Sequence, residues 1–156
     1  MKARIYTLFL AVLCLSACGK DEKVEDPIEE QNSYTYEDGS DKQSVQIMKA
    51  EYTFEDLFMA NQITLRFIGQ NNDNKIIFLL SGNSIINQVP EGNFSQSGGI
   101  VLVSGVIITP NGNAAYAVRN KNLKIVKEEN SYNIDFAFTT DKGQVKGSYK
   151  GTIVEK

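Results

Sequence analysis

The sequence predicts an all-β domain, an antiparallel meander of about nine strands folded into a β-sandwich or a lipocalin-like barrel. Three observations carry that expectation. Apolar and polar residues alternate with a period of two over successive short segments, turn-forming clusters separate those segments, and no segment longer than about one turn shows a helical period.

Taken in order, the first strand is Val45 to Phe54. Phe54, Leu57, Phe58 and Asn61 then share a helix face that Thr53 can cap, so Glu55 to Ala60 reads as one helical turn or a lid. Gln62 to Ile68 follows, and the turn Asn71-Asn72-Asp73-Asn74 leads into Lys75 to Ser81, whose run Ile76-Ile77-Phe78-Leu79-Leu80 predicts burial on both faces. Glu91 to Gln96 is a further strand. Ile100 to Thr109 ends in Pro110-Asn111-Gly112-Asn113, a strong hairpin signal, and Ala114 to Val118 runs back. Leu123 to Glu128 precedes the clearest strand, in which Tyr132, Ile134, Phe136 and Phe138 alternate with Asn133, Asp135, Ala137 and Thr139. After the turn Asp141-Lys142-Gly143, Val145, Gly147, Tyr149, Gly151 and Ile153 alternate with Lys146, Ser148, Lys150 and Thr152. Short turns without crossover helices call for an antiparallel sheet that closes or doubles to hide its edges. No fixed repeat is present, which argues against a solenoid or propeller.

Composition narrows the chemistry. Of 156 residues, 42% are hydrophobic and 22% charged, enough apolar matter for one core and too much for a disordered chain. There is no His, and both cysteines, Cys14 and Cys18, lie near the N-terminus. The folded part therefore cannot assemble a Ser-His-Asp or Cys-His nucleophile system, a His-ligated zinc site or a disulfide. Between Gly19 and Ser44 nine acids face three lysines, whereas Val45 to Lys156 holds ten acids and eleven bases. The first stretch reads as a disordered acidic linker, and the second has no basic face for nucleic acid.

Lys2 and Arg4 precede Ile5 to Ala17, an apolar stretch of thirteen residues. A membrane span needs about twenty, so residues 1–17 read as a signal peptide. The stretch ends in Leu15-Ser16-Ala17-Cys18-Gly19, which resembles the bacterial lipobox. The resemblance implies cleavage before Cys18, acylation of its thiol and new amine, and attachment to a membrane. Lys20-Asp21-Glu22 is similar to the lysine-plus-acids signal that sends lipoproteins of the Bacteroidota to the outer face of the outer membrane. The expected organisation is a signal peptide at 1–17, a lipidated cysteine with an acidic tether at 18–44, and a β-domain at 45–156. The strand and turn order of 45–156 looks like the small all-β domains common in Bacteroidota lipoproteins, and no catalytic residues come with that resemblance.

The expected function is binding or envelope assembly without catalysis, cofactor or metal, with a glycan or a protein as partner. Tyr52, Tyr116, Tyr132 and Tyr149 are the candidates for presenting flat rings to sugars, the competing reading being core tyrosines with hydroxyls at the rim. A lipocalin-like carrier holding an apolar ligand among Phe67, Phe78, Phe136 and Phe138 is the alternative within binding. A glycan hydrolase built on two carboxylates is the alternative from enzymology. Its acids fall mostly at turns or on polar strand faces, where solubility explains them. Asn71 to Asn74 and Asp38-Gly39-Ser40-Asp41 lack the ligand spacing of a calcium loop and read as turns.

Overall fold

The computed structural model describes residues 31–156 apart from Asn71, Ile86, Gln96 and Ser97. The signal peptide at 1–17, Cys18 and the Lys20, Asp21 and Glu22 signal lie outside the described residues.

The chain is all-β, with no helix among the described residues. Eleven strands form: β1 (Ser33–Asp38), β2 (Asp41–Glu55), β3 (Asn61–Gly69), β4 (Lys75–Gly82), β5 (Gly92–Phe94), β6 (Val101–Ile108), β7 (Ala114–Tyr116), β8 (Arg119–Glu128), β9 (Ser131–Thr139), β10 (Gln144–Gly151) and β11 (Ile153–Glu155). They make one sheet in the order β5-β8-β9-β10-β1-β2-β3-β4-β6-β7, with β11 beside β2, curled into a half-barrel. The run from β7 into β8 joins the two ends of that curl. Ala117 N donates to Gly105 O on β6 at 2.7 Å, Val118 N to Thr139 O on β9 at 2.8 Å, and the Lys121 ammonium to Val103 O at 2.8 Å.

Period-two alternation puts one face of each long strand inside the curl. Ile63, Leu65 and Phe67 on β3, Ile76, Phe78 and Leu80 on β4, and Ile134, Phe136 and Phe138 on β9 are buried there. The rings meet at the centre: Phe67 and Phe136 stack at 5.2 Å between centroids, Phe78 lies 5.3 Å from Phe136, and Phe78 meets Phe138 edge-on at 5.7 Å. Each such side chain contributes about 1.5–3 kcal/mol through burial. These rings touch one another at the centre of the core.

Four expectations need correction. The linker reading of 18–44 fails from Ser33 onward. Tyr34 and Tyr36 alternate with Thr35 and Glu37, Gly39 turns the chain at φ +70°, and β1 pairs with β2 from Asp38↔Asp41 to Ser33↔Gln46. On its other edge β1 pairs with β10, where Gly147 stands opposite Tyr34. A Cβ on Gly147 would lie 2.5 Å from Tyr34 Cβ, so only glycine admits β1 at this distance. The net acidity of 18–44 hid a strand whose apolar residues are tyrosines.

The final strand is also broken. Thr152 interrupts it, and β11 leaves β10 to pair parallel with β2, Ile153↔Ala50 to Glu155↔Tyr52, alongside the stretch of β2 that β1 no longer covers. The helical turn at Glu55 to Ala60 is absent, since β2 extends to Glu55 and the next residues form a bent loop. Thr53, instead of capping, lies in the strand and accepts a hydrogen bond from Arg66 Nη1 at 3.2 Å. Finally, Ile77 and Leu79 are only half-buried, because among the described residues no second layer covers the outer face of β4.

Candidate functional site

The site is built at the end of the half-barrel where β2 finishes. On β2 a bulge between Ile47 and Lys49 extrudes Met48 and resets the alternation, so that Ala50, Tyr52 and Phe54 fall on the core side. Tyr132 opens β9 on the same alternation as Ile134 and Phe136, and it stands opposite Lys127 on β8 and Gly151 on β10. Both tyrosines are half-buried against the rim of the core.

Polar groups converge on them. Tyr52 Oη donates to Glu155 Oε2 at 3.2 Å and lies 3.5 Å from the Asn87 carbonyl oxygen. Lys127 Nζ sits 6.0 Å from the centre of the Tyr132 ring, at the limit of a cation–π contact. Burial first, then the hydrogen bond to and charge of Glu155, then Tyr132, hold the Tyr52 hydroxyl above its usual pKa, so it remains a neutral donor. The loop between β4 and β5 closes over this end. Ile85 and Val89 of this loop are buried in the core, and the Asn61 amide donates to Ile85 O at 2.8 Å.

Of the four tyrosines the sequence singles out, the fold brings Tyr52 and Tyr132 together and separates the others. Tyr149 belongs to the core, its ring 5.5 Å from Phe67 and its hydroxyl donating to Thr152 O at 2.7 Å. Tyr116 stands exposed on the outer face of β7. Glu155, Lys127 and Asn87 escape sequence reasoning. The Lys127 position follows from the β8–β9 hairpin register, whereas Glu155 reaches Tyr52 only through the parallel pairing of β11.

The acids do not form a matched pair here. Glu51, the most buried carboxylate among the described residues, faces the outside of β2 between Lys49 at 3.5 Å and Lys156 at 3.3 Å. Burial pushes its pKa up, but the hydrogen bond and charge of Lys156 and then the charge of Lys49 outweigh it and hold the pKa below the usual value. A general acid at neutral pH needs the opposite shift. Asp135 is exposed across from Lys124 and Ser148. Among the described residues no group of three or more Asp, Glu, His or Cys is placed to hold a metal ion. This end of the half-barrel offers two half-buried phenol rings, Tyr52 beside a carboxylate and a carbonyl and Tyr132 beside an ammonium.

Comparison with protein-family models, curated proteins and solved structures gave no match.

Proposed function

We propose that this chain is an outer-membrane lipoprotein, displayed on the cell surface through acylated Cys18, whose β-domain binds a glycan or a protein without catalysis. The observation that carries the binding half is the meeting of Tyr52 and Tyr132 with Glu155 and Lys127 at one end of the half-barrel. A half-buried phenol ring offers a flat apolar face to the C–H side of a sugar, and its hydroxyl, with a carboxylate and an ammonium beside it, meets sugar hydroxyls. Such recognition needs no perturbed acid or base. The address half stands on the lipobox-like Leu15-Ser16-Ala17-Cys18 and on Lys20-Asp21-Glu22.

The test is a screen of the full chain against host and bacterial glycans in which binding and released reducing ends are measured together. The reading expects binding without product, weakened at least tenfold by Tyr52→Ala or Tyr132→Ala and unaffected by Tyr116→Ala. Product that grows with protein and time, and that disappears on replacing a carboxylate, makes the protein a hydrolase instead.

A further inference from the structure

The loop that joins β2 to β3 presents three consecutive apolar side chains to water. Leu57 is 42% exposed, Met59 83% and Phe58 103%, as open as in an isolated chain. Apolar burial is the main favourable term in folding, and single exposed residues are ordinary, but a run of three at one protruding tip marks a contact surface. The backbone does not require them, since the loop Asp56 to Ala60 contains neither Gly nor Pro and makes no regular turn.

We propose that Leu57, Phe58 and Met59 are a lipid-contacting tip that seats in the bilayer to which Cys18 tethers the chain, an inference that rests on the acyl anchor of the reading above. Shape favours lipid over protein. The three side chains stand open to water, and a fluid acyl phase accepts them without the complementary pocket that a protein partner needs.

Reach favours it as well. Read from Asp38 back to Ser33, β1 runs toward the end of β2 that carries the tip, and Asn32 O accepts from Ile47 N at 2.6 Å where the chain enters the sheet. From Ile47 to Glu55 is about 26 Å at the rise of a strand. The thirteen residue steps from Cys18 to Gln31 span up to about 43 Å when extended. That length is enough to let the tip meet the membrane. Glu55 and Asp56, at the base of the loop, remain in the headgroup water and limit entry to the three apolar side chains. The same charges favour zwitterionic over anionic lipid.

The chain has no Trp, so one substitution makes a unique fluorophore. Full-length lipidated protein carrying Phe58→Trp, and separately Tyr116→Trp on the outer face of β7, is reconstituted into phosphatidylcholine vesicles with or without brominated acyl chains. The proposal expects the Phe58→Trp emission to move to the blue and to be strongly quenched by bromine, with Tyr116→Trp unmoved. Protein that floats with the vesicles while its Phe58→Trp emission stays unshifted overturns the tip and leaves the anchor standing. Quenching at Tyr116→Trp instead assigns contact to the half-barrel's side and overturns it too. A shift that grows with protein concentration without lipid, in Cys18→Ser chains, makes the occupant a second copy. Protein that does not float removes anchor and tip together.

Discussion

Glu51 shows what a single side chain contributes to the outer surface of the sheet. Its side chain is 10% exposed and is held between Lys49 and Lys156. Its pKa in the folded chain lies below the ordinary value of 4.5, so the carboxylate stabilises the fold, fully above pH 4.5 and progressively less as pH falls through the folded value. In urea melts between about pH 5 and pH 3, Glu51→Gln should therefore show a shallower loss of stability with falling pH than the wild type. An equal or steeper loss would detach Glu51 from acid sensitivity. A second pair of substitutions tests the two faces of β9. Phe136 is 3% exposed among the central rings, whereas its neighbour Asp135 faces water. Phe136→Asp buries an unpaired charge and should cost about 4 kcal/mol or more. Asp135→Asn should stay within about 0.5 kcal/mol, as surface substitutions do. The reverse ranking in a urea melt would mean that the faces are exchanged.

At the scale of elements, β1 completes the sheet. It fills the gap between β10 and the first half of β2, and Lys150 N donates to Asn32 Oδ1 while Gln144 N donates to Glu37 Oε2 along its length. The Lys142–Asp38 ion pair, at 2.9 Å, ties the β1–β2 turn to the β9–β10 turn. A fragment beginning at Val45 loses all of these and exposes two unpaired strand edges. It should melt without cooperativity or aggregate, whereas Gln31 to Lys156 should unfold in one transition. A cooperative melt of the shorter fragment, at unchanged midpoint, would show β1 to be an accessory. Most of the sheet was legible because alternation survives wherever one face is buried, as in β3, β9 and β10. β1 was obscured by charge counting over a long window, although Tyr34, Tyr36, Val45 and Ile47 alternate on either side of Asp38-Gly39. β11 was illegible for a different reason. A parallel pairing made by the last residues of the chain leaves no local pattern.

For the molecule as a whole, the half-barrel is a support that sets a tyrosine-lined end and an apolar tip at the close of one strand, β2. The site was partly legible: Tyr52 and Tyr132 carry the alternation that places them at the rim, but their companions Glu155 and Asn87 depend on pairings and loop closure formed across the fold. The proposed address rests on residues 1–22, apart from the described fold, and the lipid-contacting tip depends on it. The most direct measurement is metabolic labelling with a radioactive fatty acid, followed by membrane fractionation, of wild type and Cys18→Ser. Cys18 is the one thiol that the proposed cleavage at the lipobox-like motif would leave to acylate. The account predicts label and membrane association in the wild type and the loss of both in Cys18→Ser. Undiminished label and membrane association in the variant would contradict it.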